Sequence, residues 1–435
     1  MSEHMLPITM AAVTLIGIMA GYRVAFVLAG SAALFILVTD TPVSFFKLIL
    51  SRIYTNVLSN WLLVAIPMFI FMGFVLEKSG VAERSLKGAQ RALGGTPAGM
   101  GISVLVVGVM LAASSGIVGA SVVLLTLLAL PRLQEVGFDK ATSAGLIASS
   151  GTLAILIPPS IMLIILGDQL EVPIGDMFAA AIPPGLMLVA FYGTYLVIKT
   201  RKLRMKEAPT KTPIWRTLID VGPLILLVLC VLGSIVGGVA TPTEAAGLGA
   251  FGAIAIAAAY GFFSVPAIMQ SARETVSATS MIFMVRIGAT CFSAIFRKVG
   301  GDEAIFAVVS IFGDGPWTIL FVVLGMIFLL GFVLDWLEIT LILMPIFGPL
   351  VAGLDFGNGL TPSQTTLWFA ILVALNLQTS FLTPPFGFSL FYLRGAAKNQ
   401  LSTNEIYRGV LPFIALQLLA LGLLIAFPVI IVGFV

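Results

Sequence analysis

Two acids and one arginine sit inside apolar runs where charge is out of place. Asp335 and Glu338 occur in "LDWLEIT", three apart and so on one face of a helical turn, and Arg286 occurs in "MIFMVRIGATCF". Ionised groups at such depth are rare and functional by default. Asp335 therefore reads as an ion-related residue before it reads as half of a structural pair. For Glu338, facing a site and merely sitting at a polar tip are equal readings. The Arg286 guanidinium is a fork shaped for a carboxylate. It could also neutralise an acid such as Glu244 or snorkel to the interface, and a structural role is the slightly stronger reading.

Hydroxyl and amide oxygens gather around two Pro-Pro pairs, in "SSGTLAILIPPSIMLIILGD" (Ser149–Asp168) and "NLQTSFLTPPFGFSLFYLRG" (Asn376–Gly395). A proline inside a helix removes a backbone donor and clashes with the preceding turn, costing about 3 kcal/mol or more. Pro158-Pro159 and Pro384-Pro385 are thus expected to break two membrane-depth helices. A broken helix frees carbonyls and points half-helix ends at the midplane. The carbonyls and C-terminal ends suit a small cation; the N-terminal ends suit an anionic group. The neighbouring oxygens are hard ligands, better for sodium than for a transition metal. A kink between packed helices is the plainer account of one pair, but two pairs at matched places favour a site.

The surrounding elements must be built for lipid. Hydrophobic residues make up 59% of the 435-residue chain and charged residues 10%, with a mean hydropathy of +1.12. Soluble domains carry about 25% charged residues, so the reading is an all-α polytopic membrane protein. "MSEHMLPITM" offers no basic n-region for a cleaved signal peptide. Two cysteines, Cys230 and Cys291, and the single His4 argue against a metal centre or disulfide framework. No G-x-x-x-x-G-K-[ST] cradle for ATP occurs, so work on a solute must draw on an ion gradient or a partner. The basic residues lie in loops between spans, and no nucleic-acid partner is implied.

Landmarks recur in order along two halves. "EKSG" (Glu77–Gly80) answers to "RKVG" (Arg297–Gly300), "GGTP" to "GDGP", "GFD" to "GLD", and one Pro-Pro pair to the other. The expected division is a first repeat over 1–198, a connector over 199–216 with seven basic residues against Glu207, and a second repeat over 217–435. The stretch Lys78–Pro97 is basic (Lys78, Arg84, Lys87 and Arg91 against Glu83), whereas Lys298–Pro316 is acidic. The first then lies in the cytoplasm and the second outside, which inverts the halves. Two crossings would need about 40 apolar residues, and 98–130 is shorter, so it reads as a re-entrant hairpin turning at "AASSGIVGAS". Its counterpart is 317–350, turning at "LDWLEIT". The broken helices follow at about 141–167 and 365–393. Irregular backbone survives at this depth only when buried in protein or lining a cavity. Lys47 and Arg52, on the external side against the charge rule, fit an amphipathic helix lying along the interface.

The sequence resembles the large membrane subunit of tripartite ATP-independent periplasmic (TRAP) transporters over essentially the whole chain. The resemblance rests on the tip at Ser114-Ser115-Gly116, on "GTLAILIPPSIM", on "DWLEITLILMPIFGP" and on "NLQTSFLTPPFG", in that order. It implies an inverted-repeat, elevator-type secondary transporter of the bacterial inner membrane, driven by sodium as coupling ion and needing no other cofactor. It further implies a small four-helix membrane subunit, a periplasmic substrate-binding protein, and a small carboxylate-bearing organic anion as substrate. The first span begins close to Met1, so the small subunit is expected as a separate chain. The positions matching the family's sodium sites are Ser114, Ser115 and Gly116 with Ser150, Gly151 and Thr152, then Asp335 with Asn376, Thr379 and Thr383. Arg286, Glu338 and Ser380 are weaker substrate positions. Trp336 and Glu338 depart from the smaller or neutral residues that many relatives carry after the first acid.

The alternative within transport is a stand-alone carrier of the same fold that needs no binding protein. An intramembrane enzyme is disfavoured, because no G-x-S-x-G serine is present and His4 is the only histidine. A channel is disfavoured too, since mid-membrane hairpins suit alternating access better than continuous conduction.

Overall fold

The computed structural model describes residues 5–39, 41–115, 118–203, 214–398 and 400–435, and among these the only regular elements are helices. Helices α1 (Met5–Met19) and α2 (Val24–Val38) open the chain, and α3 (Val43–Ile53) follows. At 11 residues α3 is too short to cross a bilayer. A π turn (Tyr54–Leu58) and a 3-10 turn (Trp61–Val64) lead into α4 (Ala65–Lys78). The basic stretch after Lys78, read above as loop, folds as α5 (Val81–Leu93). Its apolar residues recur at helical spacing and bury Val81, Ala82, Leu86 and Ala89. Two of its arginines are not free cytoplasmic charges. Arg84 and Arg91 hold the buried Asp220 at 2.7 and 3.4 Å.

Next come α6 (Pro97–Ser115), α7 (Val118–Glu135), α8 (Lys140–Thr152), a 3-10 turn (Leu153–Ile155), α9 (Ile161–Gln169) and α10 (Ile174–Thr200). The first hairpin, with arms of 19 and 18 residues, ends beyond the expected 130, because α7 runs through Pro131 to an exposed Arg132–Glu135 pair at 2.9 Å. The rest of the chain holds α11 (Ile214–Val236), α12 (Pro242–Ala259), α13 (Val265–Lys298), α14 (Gly301–Ser310), α15 (Pro316–Leu330), α16 (Trp336–Ala352), α17 (Pro362–Leu382), α18 (Phe388–Ala396), α19 (Thr403–Ala426) and α20 (Val429–Val432). Here too a short helix, α14, occupies a stretch read as loop. Element order thus repeats: hairpin α6–α7 then α8 and α9, hairpin α15–α16 then α17 and α18.

Among the described residues, eight helices are long and apolar enough to cross a membrane. Burial separates them. In α17 94% of the apolar window is buried, against 33% in α11 and in α12, so α17 is the inner helix and the others face lipid. Lipid tails are as apolar as leucine, so helix association rests on close packing, and small residues mark the contacts. A Cβ on Gly145 of α8 or on Gly409 of α19 would land on the other helix's backbone carbonyl. A Cβ on Gly288 of α13 would sit 2.5 Å from the Ala25 carbonyl oxygen of α2.

Candidate functional site

Both Pro-Pro pairs interrupt helices, and both gaps are patched the same way. Pro159 offers no N–H to the Ile155 carbonyl, and Ser160 Oγ donates to it instead at 2.8 Å. Pro385 offers none to Phe381, and Ser389 Oγ donates to that carbonyl at 2.6 Å. Pro158 likewise leaves the Ala154 carbonyl without its helical donor. Both Pro-Pro peptide bonds are cis. Ser160 and Ser389 escaped the sequence reading; they stand one and four residues after their pairs, so no common spacing marked them.

At the first break, Ser150 Oγ is buried and has no hydrogen-bond partner, whereas Thr152 Oγ1 donates to the Ser149 carbonyl at 2.9 Å. Hairpin arms press on these residues from two sides. A Cβ on Gly108 of α6 would come 2.6 Å from Ser150 Cβ, and Gly151 has no room for a side chain against Val122 of α7. Of the expected tip, Gly116 lies outside the described residues, as do the side chains of Ser114 and Ser115.

At the second tip, Asp335 caps α16, accepting the Trp336 N–H at 2.9 Å, and Glu338 follows in the first turn. Glu338 is buried, and its Oε2 has no hydrogen-bond partner. Two rungs pin α15 to α17: Asn376 Nδ2 donates to the Leu324 carbonyl and Ser380 Oγ to the Phe328 carbonyl, both at 2.8 Å. Gly331 closes the contact, since a Cβ there would lie 2.9 Å from Ser380 Cβ. The hydroxyls of Thr379 and Thr383 turn back on their own helix, to Leu375 and Thr379 carbonyls. Gln378 was missed by sequence reasoning; it is fully buried with both amide atoms unpaired.

The two halves meet here. Helix α17 touches both α8 and the 3-10 turn after it. Tyr392 of α18 packs on Gly119 of α7, where a Cβ would lie 2.8 Å from the ring.

Arg286 does not pair with Glu244, as the sequence allowed. Glu244 caps α12 in a box with Thr241, exposed at the helix start. The partner is Asp168, at the end of α9, 2.5 Å from Arg286 Nη2. Asp168 also accepts from Asn60 Nδ2 at 2.6 Å and Gln169 Nε2 at 2.9 Å, while Arg286 Nε donates to the Asn56 carbonyl at 3.1 Å. Arg286 is 5% exposed, and its Nη1 has no partner. Asp168 and Asn60 carried no sequence signal, because they are remote from Arg286 along the chain. This cluster borders a cavity of about 490 Å³ between α3, α9, α13 and α16, which none of the hairpin-tip residues lines.

Buried unpaired oxygens beside two broken helices can bind a dehydrated cation, and an arginine-lined cavity can bind an anion. Neither arrangement contains a nucleophile with a general base.

The family model described as "Tripartite ATP-independent periplasmic transporter, DctM component" matches residues 8–430. The C4-dicarboxylate TRAP transporter large permease protein DctM of Pseudomonas aeruginosa is 28% identical over 388 residues, 85% of either chain. The ectoine TRAP transporter large permease protein TeaC of Halomonas elongata is 29% identical over 371 residues, 84% of either chain. The 2,3-diketo-L-gulonate TRAP transporter large permease protein YiaN of Escherichia coli is 26% identical over 371 residues, again 84% of either. The YdaH transporter of Alcanivorax borkumensis, whose crystal structure has an unusual topology, superposes with a TM-score of 0.63 at 14% identity, covering 96% of this chain and 99% of that one. That likeness is one of fold.

Proposed function

Since the chain belongs to the DctM-component family of TRAP transporters, as a large membrane permease subunit rather than an enzyme, we propose that it imports a small organic anion on a sodium gradient. The anion carries a carboxylate and is handed over by a periplasmic binding protein, with a small membrane subunit as a separate partner. One observation carries the proposal. Buried oxygens at both helix breaks, above all the unpartnered Ser150 Oγ, are placed where a sodium ion could replace its hydration shell. Ser150, Gly151 and Thr152 serve one ion, together with Ser114, Ser115 and Gly116. Asp335, Asn376, Thr379 and Thr383 serve another. An unpaired hydroxyl is costly in a dry interior unless an ion or water answers it.

The chain's own residues divide the work. Asn376 Nδ2 is committed to α15, which turns its Oδ1 into the free acceptor. Asp335 contributes a carboxylate already oriented by a backbone N–H. The solute then binds between the two ion sites, near Ser380 and Glu338, and the hairpins, with α8, α9, α10, α17, α18 and the α19 that interlocks with α8, move as one body past the remaining helices in an elevator-type cycle. The repeats run inverted, as the charge pattern implied.

Uptake into proteoliposomes holding this chain and its small subunit tests the reading. The solutes are succinate, 2,3-diketo-L-gulonate and ectoine, each with the cognate binding protein outside and an imposed sodium gradient. Sodium-dependent uptake of one solute is expected, lost in Asp335→Ala and Asn376→Ala. Wild-type sodium dependence in both variants would remove the second-half ion site. Uptake without the binding protein would favour the stand-alone carrier.

A further inference from the structure

Three helix stripes face the 490 Å³ cavity. On α13, Arg286, Ser293 and Arg297 recur at helical spacing, so their side chains share one face. On α16 the opposing stripe is Pro345, Gly348 and Pro349, which bring backbone close but no side-chain donors. Pro349 lacks an N–H, so the Pro345 carbonyl has no helical donor, and the Arg297 guanidinium donates to it instead. Arg297 is thereby anchored at the cavity wall. The third stripe, from α3, brings Arg52, half-buried and without an ion pair among the described residues.

Arg297 has Asp302 at 3.8 Å, outside the lining, and Arg286 has Asp168, so among the described residues Arg52 is the cavity arginine left without an acid. Asp168 and Glu171 are the only carboxylates lining the space, and Asp168 is already held by Arg286 Nη2, Asn60 and Gln169. Arg286 keeps Nη1 buried with nothing to bond, an arrangement costly for a cation unless a further acceptor arrives. Asp168 itself displays what the guanidinium accepts. About 490 Å³ is room for a small organic acid and lies within the usual range of small-ligand pockets. The cavity lies at the Arg297 end of α13, beside the acidic stretch that the charge pattern places outside.

We infer that this cavity is a carboxylate-binding vestibule, separate from the helix breaks, in which Arg286 Nη1 and Arg52 take the anionic group of the solute and Ser293 meets its polar remainder. The inference rests on the proposal that the solute is an organic anion. It assigns the first protein contact after the binding protein lets go, ahead of the ion-coupled step. Focused positive potential in a low-dielectric cleft raises the local concentration of anions and their rate of arrival.

The test needs neither a sodium gradient nor knowledge of the true solute. The full chain, with Cys230→Ala and Cys291→Ala, receives Ser293→Cys and is reconstituted with its small subunit. Labelling by anionic 2-sulfonatoethyl methanethiosulfonate is compared with labelling by the cationic trimethylammonium analogue, each normalised to its rate with 2-mercaptoethanol. The expected preference for the anionic reagent is about tenfold, falling close to parity in Arg52→Gln. At least one of succinate, D-gluconate and N-acetylneuraminate should slow the anionic reaction. Equal or cation-favoured rates would overturn the vestibule, as would no reaction with either reagent. A preference that none of the three carboxylates reduces also overturns it, leaving a surface potential and no bound anion. In uptake assays Arg52→Gln should raise the half-saturating solute concentration while leaving the sodium dependence unchanged. A shifted sodium dependence would assign Arg52 to the ion machinery instead. Loss of sodium coupling with an intact labelling preference would sink the proposed function and spare this site, and the converse would do the reverse.

Discussion

The two helix breaks repeat one plan with different materials. In the first, α8 is short, its end is squeezed between Gly108 and Val122, and Ser150 keeps an unbonded hydroxyl. In the second, α17 is long and buried, and Asn376 and Ser380 are spent holding α15. One break is shaped by backbone proximity, the other by side-chain hydrogen bonds. Their helix starts differ too. A carboxylate, Asp139, caps α8, while a neutral box of Thr361 and Gln364 caps α17. The lesson is that the recurring element order keeps where the backbone is interrupted and how a serine answers the orphaned carbonyl, but not which atoms pack each break against its neighbours.

That contrast can be broken most forcefully at the glycines. Gly151→Val and Gly331→Val each put bulk where no space exists, and overpacking costs about 1–3 kcal/mol or more. Both are expected to abolish uptake and lower thermal stability in detergent. Tolerance at either would mean the hairpin arm is not wedged there.

Asn376→Ala against Ser150→Ala is the sharper comparison. The first removes a hydrogen bond that pins α17 to α15, for a loss of about 1 kcal/mol, while the Leu324 carbonyl keeps its place in the α15 helix; the second removes a hydroxyl that no protein group needs. Both should weaken sodium dependence in uptake, yet only Asn376→Ala should lower the melting temperature. Equal destabilisation would show that Ser150 is a structural residue.

Ser160→Ala and Ser389→Ala test the shared feature. Each deletes the donor to a carbonyl orphaned by proline, and each should cost about 1 kcal/mol, with matching shifts in the melting temperature. Unequal shifts would mean that the two patches are not equivalent.

The smallest effect concerns pH. Partial burial would raise the Asp139 carboxyl, but the Thr142 N–H and Oγ1 at 2.8 and 2.7 Å, with Lys199 nearby, hold it below the usual carboxylate value. A depressed folded-state value contributes stability above the unfolded one and loses it as pH falls through the folded value. Hydrogen exchange should therefore show the first turn of α8 loosening in acid, below the ordinary carboxylate range, while that of α17 does not change. Asp139→Asn should remove the difference. Parallel loosening of both turns would show that the caps do not decide it.

Much of this was legible along the chain. The break positions follow from a covalent fact, the missing N–H of proline. The capping of α12 by Glu244 follows from a Thr three residues before it. The helices α5 and α14 were hidden by their charge, which resembles loop composition until periodicity is weighed. The partner of Arg286 was not legible, since Asp168 and Asn60 lie far from it in sequence and adjacent only after folding.

Residue order alone thus determined that this protein dissolves in lipid, and where its main chain must be interrupted, because solvation and proline chemistry act over a few neighbouring residues. Folding in three dimensions alone decided which acid answers which base, and which hydroxyls remain unbonded. It also decided that three arginines share a cavity. Hydrogen bonds and ion pairs are made at contact distance, and only the packing of distant helices brings those atoms together.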